Sequence, residues 1–400
     1  MDLLIKNCRI IDETKDMMGD IYIKNGKIAD YGKDIDLNCK TIDGTNLVAM
    51  PSFIDMHAHF REPGYTYKED LYTGSKAALK GGYTCVNLMA NTNPIVSSMD
   101  IVAYVLSRAK ELDLIDIHQT LSVTKDFDGE SIEHLDEIDN RVRFISDDGK
   151  GIQSNNIMYK AMIKAKQKGL TLIAHEEDEE ILKMDNRLSE NIMTLRDLYL
   201  AKLTGARLHL AHVSTKESIE MIKRAKGEGV KVTCEVTPHH ICLYDLDYRV
   251  NPPIREKEDV KSIMEGIKDG TIDVIATDHA PHSLEDKEKG APGISGLETA
   301  FSICYTTLVK SNVISINRLS QLMSGTPGRL MKVNKGKIKK GYDGDMVLVD
   351  LDGRMIVDSN KFLSKGKNTP FHGMEFYGRV LATIWKGQIK YNGGIEVDNR

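Results

Sequence analysis

Eight short apolar runs, rich in β-branched residues, alternate with segments of helical periodicity through the middle of this 400-residue chain. Near-continuous apolar runs are typical of strands buried on both faces of a parallel sheet. Eight strand–helix units over about 280 residues predict a (β/α)8 TIM barrel, with a doubly wound open sheet as the alternative. The predicted strands are Phe53–His59, Tyr83–Met89, Ile115–Val123, Val142–Ser146, Leu170–His175, Leu208–Val213, Val230–Val236 and Val274–Thr277. The predicted helices include Lys68–Lys80, Met99–Glu111, Asn155–Lys168, Lys216–Lys226 and Lys257–Lys268.

Both ends of the chain have a different pattern, in which short strands are separated by turn dipeptides such as Asn25-Gly26. We expect these ends to pair into one small β-sandwich domain. The predicted division is a discontinuous domain of residues 1–50 and 335–400 around a catalytic barrel of residues 51–334. The predicted end strands are Leu3–Ile11, Asp20–Ile23, Lys27–Tyr31, Leu47–Ala49, Asp345–Asp350, Gly378–Lys386 and Gln388–Tyr391, with a turn at Leu351–Gly353.

Composition narrows the class of protein further. Charges interrupt every apolar run before the ~18 residues that a membrane span needs, and the N-terminus lacks the features of a signal peptide. The formal charge is −5 without a basic tract, so we expect neither a nucleic-acid nor a membrane partner. Six scattered cysteines without a CxxC pair fit a reduced, cytoplasmic protein, in which Cys234 is a core residue.

Histidine is unusually frequent, with 12 residues against 8 Phe and one Trp. The active site of a TIM barrel lies at the carboxyl ends of its strands. Eight of the histidines lie at or just beyond those ends, which favours a shared site over scattered packing roles. They are His57, His59, His175, His212, His239, His240, His279 and His282.

The first barrel strand ends with His57 and His59, which are two residues apart and therefore face the same side. Such a pair can hold one cation, although a lone HxH more often reflects packed or exposed histidines. The fifth and sixth strands add His175 and His212. The eighth strand adds Asp278, whose carboxylate can lie beside the metal or cap the next helix. These residues predict a metal site.

The same ligands can serve one metal or two, and a close pair of cations needs an anionic bridge. Asp147 and Asp148 both follow the fourth strand, so either can bridge while the other stabilises a turn. Two metals, expected to be Zn²⁺ from the His/Asp ligands, would lower the pKa of a bridging water and polarise a carbonyl. Asp278 could take the proton and deliver it to the leaving nitrogen. This chemistry predicts hydrolysis of amides or esters.

The chain resembles the class I dihydroorotases of the amidohydrolase superfamily over nearly its whole length, because it contains a series of motifs in the order found in that family. The motifs are His57–Gly64, Asn91-Thr92, Asp147-Asp148-Gly149, His175-Glu176, His212–Glu217, Asn251–Arg255, Thr277–His282 and Gly296–Thr299.

The resemblance implies a role for each metal-site residue. It implies that His57 and His59 bind one zinc, that His175 and His212 bind the other, and that Asp148 and a water or hydroxide bridge them. Asp278 would be the catalytic aspartate and would also touch the first metal. Related hydantoinases have a carboxylated lysine at the bridge, whereas an aspartate is typical of bacterial class I dihydroorotases.

The same resemblance implies reversible cyclisation of N-carbamoyl-L-aspartate to (S)-dihydroorotate and water in de novo pyrimidine (UMP) biosynthesis, with metal-bound hydroxide and Asp278 as proton shuttle. It implies two sets of substrate contacts. The substrate carboxylate would be bound by Arg61, Asn91 and His282, and the ring amides by Asn251 and the backbone of Pro292 and Gly293.

Two observations qualify these contacts. Arg61 could instead form a surface ion pair with Glu62, and Ala90 stands before Asn91 where relatives usually have proline. The latter difference alters loop stiffness more than chemistry.

Several alternatives stay open. The chain could be another cyclic-amide hydrolase, such as an allantoinase or a dihydropyrimidinase/hydantoinase, or an inactive scaffold on the same fold. The resemblance is compatible with a homodimer and with association with aspartate transcarbamoylase. The polar segment Ser283–Gly290 could be a mobile lid or a solvated loop. His239 and His240 receive no ligand role, and the remaining histidines are expected to be structural or exposed: His118, His134, His209 and His372.

Overall fold

The computed structural model describes residues 2–398, which fold into a parallel barrel and a mixed β-sheet. The strands are β1 (Asp2–Ile11), β2 (Asp16–Lys24), β3 (Lys27–Gly32), β4 (Lys40–Asp43), β5 (Val48–Pro51), β6 (Phe53–Ala58), β7 (Tyr83–Leu88), β8 (Asp116–Gln119), β9 (Phe144–Ile145), β10 (Thr171–Ala174), β11 (Arg207–Leu210), β12 (Val232–Val236), β13 (Val274–Ile275), β14 (Met346–Ile356), β15 (Glu375–Trp385), β16 (Gln388–Asn392) and β17 (Val397–Asp398).

The α-helices are α1 (Leu71–Lys80), α2 (Met99–Leu112), α3 (Asn155–Lys168), α4 (Asn186–Thr204), α5 (Lys216–Gly227), α6 (Pro238–Cys242), α7 (Lys257–Asp269), α8 (Leu284–Glu288), α9 (Ala300–Cys304), α10 (Ile316–Ser320) and α11 (Thr326–Leu330). Short 3₁₀ turns occupy Lys125–Phe127, Glu133–Glu137, Ile181–Lys183 and Ser359–Lys361, and π-helical turns occupy Tyr305–Lys310 and Gln321–Gly325.

The eight strands β6 to β13 form a closed parallel ring. One sheet contains β6, β7 and β8, and a second contains β9 to β13 in sequence order. Single parallel bridges join the two sheets, from Leu121 to Ile145 on one side and from Ala58 to His279 on the other. The predicted TIM barrel with a small β domain is therefore confirmed, and the open-sheet alternative is wrong.

The barrel strands are buried on both faces. In β10, Leu172 and Ala174 belong to the large hydrophobic cluster that contains the helices, whereas Ile173 packs with Ile54 and Met331 in a separate cluster. This alternation is the one expected of a strand with one face toward the barrel interior and one toward the surrounding helices. It explains why the strands read as continuous apolar runs.

Capping residues place the helix boundaries. The Ser154 side chain accepts a hydrogen bond from the Ile157 N–H at the start of α3, and Gly169 ends that helix in the left-handed conformation. These signals are local, so the predicted bounds of α3 agree with the structure. The 19-residue helix α4, in contrast, was not singled out by the sequence pattern.

Both chain ends contribute to one mixed sheet. β5 pairs with β14, and β1 pairs with β2, β4 and β5, so that the N-terminal and C-terminal strands share one core. The predicted turn at Leu351–Gly353 is wrong, because β14 continues through it. Asp350 Oδ1 accepts hydrogen bonds from the Asp352 and Gly353 N–H groups, and the register shift there is a bulge rather than a chain reversal.

Strand pairing does not mark a domain boundary, so the division at residues 50/51 and 334/335 stays a prediction. Among the helices of residues 2–398, none is long and apolar enough to cross a lipid bilayer.

Candidate active site

The four histidines predicted as metal ligands converge on one carboxylate, that of Asp148, at the carboxyl ends of the barrel strands. Asp148 Oδ1 lies 3.3 Å from His57 Nε2, 3.5 Å from His175 Nδ1 and 3.7 Å from His212 Nε2. Asp148 Oδ2 lies 3.5 Å from His59 Nε2. All five side chains are buried. A carboxylate in this position can bridge two cations.

Asp278 completes the cluster on the side of the first strand. Its Oδ1 lies 3.1 Å from His59 Nε2 and 3.6 Å from His57 Nε2. Burial by itself raises the pKa of Asp278, but the hydrogen bond with His59 and the charge of His57 lower it well below its ordinary value. Asp278 is therefore ionised at neutral pH.

The donor atoms of this cluster fit a divalent metal. They form two compact groups, one of His57, His59 and Asp278 and the other of His57, Asp148 and His212, with all the ligand atoms of each group within 4.8 Å of one another. Among residues 2–398, His57 Nε2 and Asp148 Oδ1 have no hydrogen-bond partner although both are buried. Because unpaired buried lone pairs are costly, a cation bound by nitrogen and oxygen ligands accounts for this arrangement.

The structure distinguishes the two adjacent aspartates. Asp147 accepts hydrogen bonds from the backbone N–H groups of Val123 and Thr124, at 2.7 and 3.1 Å, and from the Thr124 hydroxyl. Asp147 therefore stabilises a loop, and Asp148 alone of the pair faces the histidines.

Glu235, a residue that sequence reasoning missed, orients the first ligand. Glu235 Oε1 lies 2.6 Å from His57 Nδ1, and its Oε2 lies 3.0 Å from His209 Nε2. Burial raises its pKa, but the charge of His57 and the hydrogen bond with His209 lower it to about 2. An ionised partner at Nδ1 leaves Nε2 of His57 free to bind a metal. The signal in the sequence that could have identified Glu235 is its position as an acidic residue inside the apolar strand β12.

We expect Glu235→Gln to weaken metal retention by roughly 10–100-fold, because the neutral amide no longer holds His57 in one tautomer. Metal content after dialysis against a graded chelator series measures this effect. A matched control is Glu217→Gln, which alters an ion pair of α5 with Arg187 outside the cluster. Equal metal retention by Glu235→Gln and the wild type would contradict the orienting role.

The residues predicted to bind substrate line one cavity of about 200 Å³ together with five metal-site residues, which are His59, Asp148, His175, His212 and Asp278. The predicted substrate-binding residues are Arg61, Asn91, Asn251, His282, Pro292 and Gly293. Asn91 Oδ1 lies 2.7 Å from His59 Nδ1, so Asn91 also fixes the orientation of a metal ligand. The absence of a preceding proline does not displace Asn91 from the cavity.

Arg61 presents a cation to this cavity. Its guanidinium lies 3.3 Å from His282 Nε2 and donates to the Pro281 carbonyl, and no carboxylate of residues 2–398 forms an ion pair with it. The alternative ion pair with Glu62 is wrong, because Glu62 accepts hydrogen bonds from the N–H of Leu71 and the hydroxyl of Tyr104.

His282 adds no positive charge to this wall. Burial lowers the pKa of His282, and the nearby cations Arg61 and Lys68 lower it further, to about 3. A neutral imidazole contributes no charge, so Arg61 is the cation that an anionic ligand would meet.

The same cavity is also lined by Asn251 and the Pro292–Gly293 segment. Asn251 Nδ2 lies 3.4 Å from Glu177 Oε2. The Gly293 N–H donates to the Arg249 carbonyl, and its own carbonyl accepts from Asn368, so both backbone groups of Gly293 are engaged within the chain. A Cβ at Gly293 would lie 2.7 Å from the side chain of Ala280, which explains the glycine.

The segment Ser283–Gly290 is not an irregular loop. It contains the short helix α8, whose Ser283 and Asp286 form a reciprocal capping box. Lys287 Nζ donates to the Ala291 carbonyl at 2.8 Å. Movement of this segment as a lid stays a prediction.

His239 and His240 lie close to the site without sharing one role. His240 Nδ1 lies 2.8 Å from the Thr237 hydroxyl, and its Nε2 lies 3.0 Å from the Pro252 carbonyl. His240 therefore supports the turn after Asn251. His239 is buried, and its Nε2 has no hydrogen-bond partner among the described residues.

The Amidohydrolase family profile matches residues 48–390, and the chain belongs to this family. Curated relatives that carry the name dihydroorotase include the following two bacterial proteins. The protein from Clostridium botulinum (strain Eklund 17B / Type B) is 58% identical over 396 residues, covering 98% of this chain and 100% of the relative. The protein from Thermoanaerobacter sp. (strain X514) is 42% identical over 421 residues, covering 98% and 97%.

Solved structures of similar fold include the L-hydantoinase (dihydropyrimidinase) from Arthrobacter aurescens. It has a TM-score of 0.91 and 26% identity, with 99% of this chain and 97% of that chain covered. The dihydropyrimidinase from Brevibacillus agri NCHU1002 has a TM-score of 0.89 at 22% identity, covering 100% and 97%, and supports the fold alone.

Proposed function

We propose that this protein catalyses the reversible cyclisation of N-carbamoyl-L-aspartate to (S)-dihydroorotate and water in de novo pyrimidine biosynthesis. The relatives named dihydroorotase support this proposal over nearly the full chain. The observation that carries it is Arg61, a cation without a carboxylate partner among residues 2–398, in the same cavity as the His/Asp cluster. A cyclic amide that bears a carboxylate satisfies both features.

We assign two zinc ions to the cluster, where His57, His59 and Asp278 would hold one, His175 and His212 would hold the other, and Asp148 would be a ligand shared by both. When bound, the metals lower the pKa of a water and polarise the carbonyl that is attacked. The buried unpaired atoms of His57 and Asp148 support this assignment.

Asp278 is the proton carrier in the proposed mechanism. In the hydrolytic direction its ionised carboxylate accepts a proton from the attacking water and delivers it to the ring nitrogen as the C–N bond breaks. In the synthetic direction the same carboxylate removes a proton from the ureido nitrogen, which attacks the carbon of the protonated carboxyl group, and Asp278 returns the proton to the departing hydroxyl, which leaves as water. The position of Asp278 in the cavity wall supports both transfers.

The substrate carboxylate is assigned to Arg61, Asn91 and His282, with Arg61 supplying parallel, charge-assisted hydrogen bonds. The ring amides are assigned to Asn251 and the Pro292–Gly293 backbone. Since both backbone groups of Gly293 have partners within the chain, the Pro292 carbonyl is the better acceptor for a ring N–H.

Hydrolysis of an uncharged cyclic amide is the second candidate, since the solved structures include an L-hydantoinase. A neutral ring would leave the guanidinium of Arg61 unpaired at the cavity wall, which is unfavourable. An inactive scaffold is a weaker alternative, because every predicted ligand position holds a residue able to bind metal.

Purified protein assayed in parallel with dihydroorotate, dihydrouracil, hydantoin and allantoin tests the substrate assignment. We expect a clear preference for dihydroorotate, because only its carboxylate satisfies Arg61. A preference for an uncharged ring would overturn this assignment.

Elemental analysis of the active protein should give about two zinc ions per chain, and active protein without metal would overturn the mechanism.

The family resemblance also supports proposals on context. We assign the protein to the cytoplasm, as a homodimer that associates with aspartate transcarbamoylase. We also propose that residues 51–334 are the catalytic domain and that residues 1–50 and 335–400 form one accessory domain, which the sheet shared by β5 and β14 supports. Co-purification with aspartate transcarbamoylase tests the heteromeric association.

A further inference from the structure

The outward face of α4 is apolar along its whole length. Five large side chains on this face are between 39% and 61% exposed: Leu188, Ile192, Leu195, Tyr199 and Leu203, here called the α4 stripe. The other exposed residues of the helix are Asn186 and Lys202. A solvent-facing helix surface normally carries charged residues, and a contiguous apolar strip of this kind marks a contact surface.

The three cations of α4 itself are neutralised within the chain. Because each has an acidic partner, covering the stripe would not strand an unpaired charge. The ion pairs are Arg187 with Glu217 and Asp259, both at 2.7 Å, Arg196 with Asp197 at 2.7 Å, and Lys202 with Glu228 at 2.8 Å.

The opposite face of α4 is buried against the barrel. Glu190 accepts hydrogen bonds from the N–H groups of Ser214 and Thr215, at 3.0 and 3.1 Å, and forms an ion pair with Arg255. These contacts tie α4 to the loop that follows His212. The helix therefore does not need the stripe for its own packing, and the exposed apolar residues require another explanation.

The stripe is nearly symmetrical about its middle residue. The successive spacings of its members are four, three, four and four residues, so the pattern reads almost alike in both directions. In an antiparallel pair of such helices, Leu188 opposes Leu203, Ile192 opposes Tyr199, and Leu195 lies near the two-fold axis. This is the self-complementarity that an isologous dimer interface requires.

We infer that the α4 stripe is the contact surface of a homodimer, in which α4 packs antiparallel against α4 of a second copy. The inference gives a surface to the homodimer proposed above. Its test measures molecular mass rather than turnover. The proposed interface and the proposed activity can therefore be disproved independently of each other.

The exposed area of the α4 stripe is large enough for contact with a second copy of the chain. Five half-exposed large side chains leave on the order of 100 Å² each, so two copies would bury on the order of 1,000 Å² from the stripe alone. That is near the lower limit for a specific interface. Met184, 81% exposed just before α4, adds to it. Adsorption to a membrane would instead favour a helix rich in unpaired cations beside its apolar face.

Leu195→Glu tests the interface, because it brings two like charges together at the axis. Sedimentation equilibrium of the full chain should give a dimer for the wild type and a species of 44.8 kDa for the variant, with the dissociation constant raised at least ~100-fold. Tyr72→Glu, at an exposed position of α1 that is 49% accessible, is the matched control and should remain dimeric.

A second variant keeps the test decisive if Leu195→Glu does not fold. Leu195→Cys places two thiols near the axis, so mild oxidation should give a covalent dimer, whereas Lys202→Cys should crosslink much less. A monomeric wild type at micromolar concentration would overturn the inference, as would a Leu195→Glu protein that stays dimeric. Binding of a monomeric wild type to anionic lipid vesicles would also overturn it, since the stripe would then serve a membrane.

Discussion

Replacing Asp278 by Asn should lower kcat by a factor of about 10³ or more while leaving the metals bound. The amide has the same shape, and its oxygen can keep its place beside His57 and His59 at the end of β13. It cannot accept a proton at neutral pH, however, so the transfer between water and ring nitrogen is lost. Steady-state rates in both reaction directions, together with elemental analysis of the same sample, measure the two parts of this prediction.

Asp269→Asn is the matched control for that variant. Asp269 forms an exposed ion pair with Lys223 at 2.6 Å, and its substitution should leave turnover unchanged. Near-normal turnover by Asp278→Asn would remove Asp278 as the proton carrier. Loss of metal along with activity would instead identify it mainly as a ligand.

Replacing Arg61 by Met should lower kcat/KM for dihydroorotate by roughly 10²–10³-fold, because two charge-assisted hydrogen bonds to the carboxylate are lost. Any hydrolysis of dihydrouracil, which has no carboxylate, should change far less. Arg61→Lys should be intermediate, since an ammonium keeps the charge without the parallel geometry. The ratio of kcat/KM for the two substrates is the quantity to measure.

The ratio of kcat/KM for dihydroorotate and dihydrouracil distinguishes a loss of carboxylate binding from a disturbance of the loop structure. Arg61 has a positive φ of 59° and donates to the Pro281 carbonyl, so its loss could also disturb the loop between β13 and α8. Loop disturbance would lower activity toward both substrates equally. An unchanged ratio would therefore contradict the carboxylate-binding role, even if the variant were strongly impaired.

Much of the barrel could be predicted because its signals are local. Apolar runs identified the strands, and helical periodicity predicted the bounds of α3, which the structure explains by the local caps Ser154 and Gly169. The carboxyl end of each strand then indicated which histidines face a common site. Alternation along the predicted strand Phe53–His59 was enough to place His57 and His59 together, although β6 itself ends at Ala58.

Other features depend on contacts distant in sequence. Glu235 lies 178 residues from His57, and only ring closure brings the two side chains to 2.6 Å. Asp147 and Asp148 are chemically identical neighbours, so their roles differ only through the loop at Val123–Thr124. The helix α4 has apolar residues on both its inner and outer faces, and its sequence therefore lacks the one-sided pattern that predicts a surface helix.

The sequence by itself determined the alternation of strands and helices, and with it the set of histidines that end the barrel strands. Residue type and spacing decide these features, because strand and helix periodicities act over a few residues. Only the tertiary structure decided that Asp148 faces the histidines, that Glu235 supports His57, and that Arg61 lacks a partner carboxylate among residues 2–398. Those relations depend on barrel closure, where a bridge between Ala58 and His279 joins segments more than two hundred residues apart.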